Sequence, residues 1–198
     1  MWEKRFSTPD YLFGKEPATF LRTHAKYLQK GQNALSVADG EGRNSVFMAT
    51  QGVDVTALEF APSAIAKARK LAMEHAVTVN FTKADVLTYD WPDGEYDLGV
   101  AIFIQFVGPE GRKQIFDGVA RATKPGGLVM LHGYTPQQIE FGTGGPGKVE
   151  NLYTDAMLRE DFAGWEILEC REYIRDIQEG AGHSGQSALI DFIARKPA

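Results

Sequence analysis

A glycine-containing loop near residue 40 has the residue types and spacing of a nucleotide site. Gly40 and Gly42 follow the apolar run 35–38 and precede helix-forming residues. Glycines allow the backbone to approach a ligand closely, and a helix start offers free N–H groups. A second apolar run, 53–58, ends on Glu59, about twenty residues beyond the loop. An acidic side chain at that point can bind the two hydroxyls of a ribose, so the pattern predicts a nucleotide-type site.

Two classes of cofactor fit this pattern, nicotinamide dinucleotides and S-adenosylmethionine. A dinucleotide loop has a third glycine where this chain has Ser45, and it faces a pyrophosphate, for which Glu41 is a poor neighbour. S-adenosylmethionine has no phosphate, so Glu41 is tolerable beside it. The loop therefore favours S-adenosylmethionine, and a nicotinamide-dependent oxidoreductase is the less favoured alternative.

Further motifs follow in a characteristic order. They are the N-terminal segments 2–6 and 11–17, the strand-like run 81–86, the turn 123–127 before the apolar run 128–131, and the segments 134–136 and 142–146. Together with the loop they resemble the class I S-adenosylmethionine-dependent methyltransferases, in particular the small bacterial branch related to tellurite-resistance and thiopurine methyltransferases. The resemblance covers essentially the whole chain. It implies S-adenosyl-L-methionine as cofactor and a small-molecule acceptor, such as a thiol, selenium or tellurium compound.

The loop departs from the superfamily at two positions. Ser36 stands where an acidic residue is usual, and Ala38 replaces the first loop glycine. Asp39 is the candidate to take over part of the missing acid's role. These departures keep open a third function, that of a non-catalytic S-adenosylmethionine-binding protein.

The apolar pattern predicts the fold class. Strands near 34–38, 53–58, 77–81, 97–103 and 128–134 alternate with helical patterns, which implies a parallel sheet covered on both faces. The last two strands, 165–174 and 187–195, are separated only by a turn-rich segment and must form an antiparallel hairpin. We expect one domain, 1–198, with a three-layer α/β/α Rossmann-like fold and a mostly parallel seven-stranded sheet. An N-terminal arm and a helix over 17–29 occupy residues 1–31.

The resemblance, together with the positions of residues at the ends of the predicted strands, suggests roles for individual residues. Tyr134 and His183 are the catalytic candidates, with Gln105 and His132 as further substrate-side groups. Segment 135–151, which follows the fifth strand, is interpreted as a substrate lid. The cofactor-binding candidates are Trp2, Phe13, Ala38, Gly40, Gly42, Glu59, Phe60, Asp85, Val86 and Phe103. Some have structural alternatives, because Asp85 can cap a turn and Trp2 and Phe13 can anchor the arm.

Composition excludes several function classes. The net charge of −5 argues against a phosphate-binding face, and the segment 101–106 lacks the motif of amino-directed nucleobase methyltransferases, so no nucleic acid partner is expected. No apolar run approaches the roughly 20 residues that cross a bilayer, and the N-terminus lacks the apolar core of a secretory signal. These two observations predict a cytoplasmic protein without a membrane partner. Cys170, the single cysteine, is expected to be structural, and the basic residues Lys67, Arg69 and Lys70 to lie on a solvated helix face. No metal-ligand spacing occurs, so a metal-independent monomer or homodimer is expected.

Overall fold

The structure is a computed structural model that describes residues 1–198. Its seven strands form one sheet in the order β3-β2-β1-β4-β5-β7-β6. The strands are Asn33–Val37 (β1), Asp54–Glu59 (β2), Asn80–Lys83 (β3), Tyr96–Ile102 (β4), Thr123–Tyr134 (β5), Glu166–Glu179 (β6) and His183–Arg195 (β7). β1 with β2, β2 with β3, and β4 with β5 are parallel, whereas β5 with β7 is antiparallel.

Seven α-helices accompany the sheet. They are Trp2–Phe6 (α1), Thr19–Thr23 (α2), Arg43–Thr50 (α3), Pro62–Glu74 (α4), Pro109–Ala122 (α5), Gln138–Phe141 (α6) and Asp155–Asp161 (α7). Two short 3-10 helices, Ala25–Tyr27 and Val149–Asn151, complete the set. None of these helices has the length and apolar character needed to span a bilayer. The mostly parallel sheet with a C-terminal hairpin confirms the predicted Rossmann-like fold class.

The chain divides into two compact units. The first contains residues 1–89 and 179–182, and its strands are β1, β2 and β3. Four of the five β1 residues are buried, as a parallel strand covered on both faces requires. The predicted apolar stripe of α4 is confirmed, because Ile65, Ala68, Leu71 and Ala72 are all buried.

The second unit contains residues 90–178 and 183–198. Leu98 and Val100 of β4 and Val129 of β5 are buried in its sheet. Phe162, just after α7, packs with its ring centroid 5.2 Å from that of Phe192 in β7. The interpretation of the chain as a single domain stays a prediction.

The structure corrects the predicted N-terminal helix. A single helix over 17–29 was expected, but α2 ends at Thr23 and a 3-10 turn follows. His24 interrupts the helix with φ −103° and ψ 18°. Its ring nitrogen Nδ1 lies 2.8 Å from the carbonyl oxygen of Phe20, the same oxygen that accepts the His24 backbone N–H. The side chain thus competes for a helical acceptor, which weakens a continuous helix.

Strand boundaries also differ from the sequence pattern. β3 begins at Asn80 rather than 77, because the backbone N–H of Val77 still binds the carbonyl of Ala72 at the end of α4. β5 begins at Thr123 rather than 128, and its pairing with β4 shifts register between Tyr96 and Leu98. Between the pairs Tyr96–Thr123 and Leu98–Leu128, β4 advances two residues and β5 five, so the extra residues of β5 accommodate the predicted turn within the strand.

Candidate functional site

The loop after β1 adopts a left-handed backbone at three positions. Ala38 has φ +49°, Gly40 +66° and Gly42 +91°. The conformation at Ala38 explains why a glycine is usual there, since L-residues are strained in it. Gly42 has a second constraint, because a Cβ at this position would lie 2.7 Å from the Cβ of Ala68. Gly42 therefore permits close packing of the start of α3 on α4.

Asp39 organises the loop from within. Its carboxylate accepts hydrogen bonds from the hydroxyls of Ser36 (2.7 Å) and Ser45 (2.5 Å), and from the backbone N–H of Ser45 (3.3 Å). Burial raises the pKa of Asp39, and these donors oppose the shift. Ser36, which stands where an acidic residue is usual, and Ser45, which stands where a dinucleotide loop has its third glycine, are thus both partners of a buried carboxylate in the same loop.

Glu59, at the end of β2, faces the same loop. One carboxylate oxygen accepts the backbone N–H of Gly40 and the other that of Ala61, both at 2.8 Å. Burial raises the pKa of Glu59, against the effect of these backbone donors. Each oxygen retains a lone pair, so the carboxylate has the capacity to accept two ribose hydroxyls. The ring of Phe60 beside it is 58% exposed and offers an open face for a flat heterocycle.

Asp85 and Val86 follow β3. The side chain of Asp85 accepts the backbone N–H of Leu87 at 3.0 Å, so it caps a turn, which is the structural alternative considered above. Asp85 is exposed and Val86 is buried. The turn fixes the backbone of both residues at the carboxyl end of the strand.

The N-terminal arm is attached to the loop by Glu41. The carboxylate of Glu41 accepts the backbone N–H of Leu12 at 2.8 Å and forms an ion pair with Lys67 at 2.6 Å. The prediction that Lys67 lies on a solvated helix face is wrong, since its side chain is only 13% exposed. A long lysine side chain extends its charged end to a carboxylate that the fold places beside α4.

Aromatic residues of the arm form a cluster on the start of α4. The rings of Trp2 and Phe6 are stacked with centroids 5.6 Å apart, and Phe13 lies 6.3 Å from Trp2. Phe6 is buried and packs on Ala61, and a Cβ at Gly40 would lie 3.7 Å from its ring. Trp2 and Phe13 therefore anchor the arm, and Phe6, which the sequence pattern did not single out, brings the cluster to the loop.

The tip of the C-terminal hairpin also belongs to the first unit. Arg43, at the start of α3, forms a buried ion pair with Glu179 at 2.8 Å. Glu179 also accepts the backbone N–H of Thr19 at 2.9 Å. Beyond it, Gly182 packs on the ring of Phe13, where a Cβ would lie 2.3 Å from a ring carbon. This pair has no signal in the sequence, because its members are 136 positions apart in the chain.

The second unit brings the two catalytic candidates together. The hydroxyl of Tyr134, at the end of β5, lies 2.6 Å from Nδ1 of His183 at the start of β7, and both side chains are buried. Phe103 stacks on His183 with centroids 4.2 Å apart and an interplanar angle of 21°. Phe103 is a non-glycine residue with φ +56°, a strained conformation of the kind that clusters at functional sites.

His132 and Gln105, the other candidates, bind within the fold. Nδ1 of His132 lies 2.7 Å from Oδ1 of Asp191, which also accepts the hydroxyl of Tyr173 at 3.0 Å. The side-chain amide of Gln105 binds the main chain of Tyr134. Neither arrangement is readable from the sequence, because the partners are on different strands.

We expect Ala38→Gly to raise the free energy of unfolding by about 0.5–1 kcal/mol. Relief of a left-handed alanine is worth about 1–2 kcal/mol, and the added flexibility of the unfolded chain offsets about half of it. Ala76→Gly is the matched control, since Ala76 is exposed and has φ +53°. Urea unfolding measures both. A loss of stability in Ala38→Gly alone would mean that the Ala38 methyl group makes contacts that outweigh its strain.

Comparison with known proteins agrees with this geometry. Residues 34–127, which contain the loop and Glu59, match a family model described as a methyltransferase domain. Phosphatidylethanolamine N-methyltransferase of Cereibacter sphaeroides is 30% identical over 131 residues, which is 65% of this chain and 64% of that protein. The chain thus spans less than two thirds of this curated relative.

Two solved structures share the fold at low sequence identity. One, from work on the conversion of a disulfide bond into a thioacetal group during echinomycin biosynthesis, has a TM-score of 0.77 at 18% identity and covers 96% of this chain and 85% of that one. TehB from Haemophilus influenzae has a TM-score of 0.73 at 20% identity, with 98% and 65% covered. The loop, the fold and the family match agree, and they identify residues 34–127 as a methyltransferase domain within a Rossmann-like sheet.

Proposed function

We propose that the chain transfers the methyl group of S-adenosylmethionine to a small-molecule acceptor with a soft nucleophile, such as a thiol, selenol or tellurium compound. The observation that carries this proposal is the buried hydrogen bond between Tyr134 and His183. A phenol and an imidazole in contact form a proton-accepting pair. Such a pair suits an acceptor that must lose a proton as it is methylated.

The first unit supplies cofactor binding in this proposal. Bound S-adenosylmethionine would supply an electrophilic methyl carbon to the acceptor atom, with the electron pair of the carbon–sulfur bond left on sulfur. Glu59 accepts the ribose hydroxyls, Phe60 covers the adenine face, and Asp85 and Val86 bind the adenine edge. The backbone of Ala38, Gly40 and Gly42 holds the methionine portion. Trp2 and Phe13 close the arm over the cofactor and provide aromatic faces that attract a cation.

The second unit supplies the base. The hydroxyl oxygen of Tyr134 takes the acceptor's proton as the tyrosine's own proton passes to Nδ1 of His183. Phe103 fixes the plane of the His183 ring by stacking. It is also the residue of this unit that would contact the cofactor. The apolar residues packed around Tyr134, among them Leu152 and Leu189, exclude water from the pair.

Segment 135–151 is proposed as a lid over Tyr134. Gly145 lies against the Tyr134 ring, where a Cβ would be 2.8 Å from a ring carbon. The segment is tethered by Gln138, whose side-chain oxygen accepts the backbone N–H of Ala188 at 2.8 Å. A glycine at this contact leaves the lid close to the ring without a side chain between them. Closure of such a segment orients an acceptor and removes water.

A panel of acceptors tests the proposal. Purified protein with S-adenosylmethionine is given thiols, selenols, reduced tellurium compounds, phosphatidylethanolamine and a demethylated quinone, and S-adenosylhomocysteine release is measured with mass spectrometry of the product. We expect turnover with at least one soft nucleophile. Turnover only with the amine or carbon acceptor would contradict the acceptor class. Cofactor binding without turnover on any acceptor would favour the non-catalytic alternative.

Glu59→Gln is expected to weaken binding of S-adenosylhomocysteine about 10- to 100-fold. Loss of charge-assisted hydrogen bonds to the ribose costs about 1–3 kcal/mol. Glutamine keeps the shape of the side chain but can accept only one of the two backbone N–H groups that Glu59 binds, so circular dichroism checks the fold before the binding measurement. Calorimetry gives the dissociation constant, with exposed Glu74→Gln as control. An affinity equal to that of the control would remove Glu59 from the site.

The remaining expectations stay predictions. A single domain, a cytoplasmic location, a monomeric or homodimeric state and independence from metal ions and nucleic acid rest on the sequence patterns. Membership of the tellurite-resistance and thiopurine branch also remains a proposal, because the solved neighbours are below 25% identical and support the fold.

A further inference from the structure

Gln105 makes a bidentate contact with the main chain of Tyr134. Its side-chain oxygen accepts the Tyr134 backbone N–H at 2.7 Å, and its side-chain nitrogen donates to the Tyr134 carbonyl oxygen at 2.8 Å. Gln105 is 4% exposed, so these bonds are made in a buried setting where an unmet partner is costly. The backbone carbonyl of Gln105 is itself bound by the side chain of Asn151 at 3.3 Å.

The chain around this contact is shaped to permit it. Phe103 leaves β4 in a left-handed conformation while its N–H donates to the carbonyl of His132 at 2.8 Å. Gly133, the residue before Tyr134, has no side chain where Gln105 crosses β5. A Cβ at Gly133 would lie 2.6 Å from the side-chain oxygen of Gln105. The strained backbone of Phe103 and the absence of a side chain at Gly133 thus both make room for the contact between the Gln105 amide and Tyr134.

We propose that Gln105 is a positioning residue that acts through Tyr134, and this inference rests on the proposed catalytic role of Tyr134. The amide holds the Tyr134 peptide groups on both sides of its Cα. It thereby sets the direction of the side chain and the position of its hydroxyl beside His183. A displacement of a reacting group by about 1 Å can cost about 100-fold in rate, so a fixed main chain at this point has a catalytic value. Gln105 is thus assigned to alignment rather than to the substrate contact considered from the sequence.

Gln105→Glu provides a switchable test. A protonated glutamic acid has one donor and one acceptor in the shape of the glutamine side chain, whereas the ionised form has only acceptors. The ionised form would face the carbonyl of Tyr134 and break the clamp. We expect the imidazole ¹⁵N signals of His183 to match those of the unmodified protein at a pH below the pKa of the introduced carboxyl, which burial raises and which its own ¹³C signal reports, and to differ from them at a pH above it. The rate constant kcat should fall about 10- to 100-fold at the higher pH only, with KM for the cofactor unchanged.

Gln105→Met is the second variant and lacks both polar groups at every pH. Its His183 signals and kcat should be altered throughout the range, and exposed Gln114→Glu on α5 should match the unmodified protein. Unaltered His183 signals in Gln105→Met, or in Gln105→Glu at both pH values, would overturn the proposal. Should Gln105→Met not fold, the pH comparison of Gln105→Glu decides alone. The NMR readout does not need turnover, so failure of the catalytic role of Tyr134 and failure of the clamp are separate outcomes.

Discussion

Tyr134→Phe and His183→Asn are each expected to lower kcat about 100- to 10,000-fold, which is the range for loss of a general base. Phenylalanine removes the hydroxyl that takes the acceptor's proton, and asparagine removes the imidazole that takes the tyrosine's proton. Because the two side chains act as one unit at 2.6 Å, the double variant should cost little more than either single variant. The dissociation constant for S-adenosylhomocysteine should stay within about twofold in all three.

Single-turnover rates with the acceptor found in the panel measure these effects. The control is His75→Asn, since His75 is exposed beyond the end of α4 and has no place in the proposed mechanism. A rate equal to that of the control in Tyr134→Phe would show that orientation alone suffices for transfer. Additive losses in the double variant would mean that the two residues contribute independently.

Glu179→Ala and Arg43→Met are each expected to lower the free energy of unfolding by about 3–5 kcal/mol. Both side chains are 7% exposed, so removal of one leaves the other charge buried without its counterion. Glu179→Ala also removes the acceptor of the Thr19 backbone N–H. The double variant Arg43→Met/Glu179→Leu should lose less than either single variant, because it buries no unpaired charge.

Urea unfolding provides the comparison. Lys113→Met is the matched control for an exposed pair, since Lys113 and Asp117 are both about 60% exposed, and its cost should be negligible beside that of the buried pair. A cost below about 1 kcal/mol for Arg43→Met would mean that the guanidinium reaches water once its partner is lost. In that case the pair would contribute little to holding the hairpin tip beside the loop.

The fold class followed from patterns that are local in the chain. Buried apolar runs alternating with the amphipathic pattern of α4 predict parallel strands with helical crossovers, and a short turn between the last runs forces an antiparallel hairpin. These inferences need only residues that are neighbours in sequence. The errors occurred where local signals competed with more distant contacts, as at His24, which interrupts the predicted helix, and at the start of β5, where pairing continues through a predicted turn.

The candidate site was predictable to a lesser degree. Loop glycines and Glu59 carry their own signal, because their roles depend on backbone freedom and on a strand end. Lys67 was assigned to a solvated face, because amphipathic periodicity describes one helix in isolation. Its partner Glu41 lies in a loop, and the periodicity of the helix gives no information about the direction of that loop.

The sequence by itself determined the order of strands and helices, the position of the glycine loop and the residue types at each strand end. Only the tertiary structure decided which side chains meet. The carboxylate of Asp39 accepts hydrogen bonds from the hydroxyls of Ser36 and Ser45. The side-chain amide of Gln105 binds the main chain of Tyr134. Arg43 forms an ion pair with Glu179, which is 136 positions away in the chain. The physical reason is that periodicity reports whether a residue is buried, whereas a hydrogen bond between buried groups depends on the register and direction of elements that come together only when the chain folds.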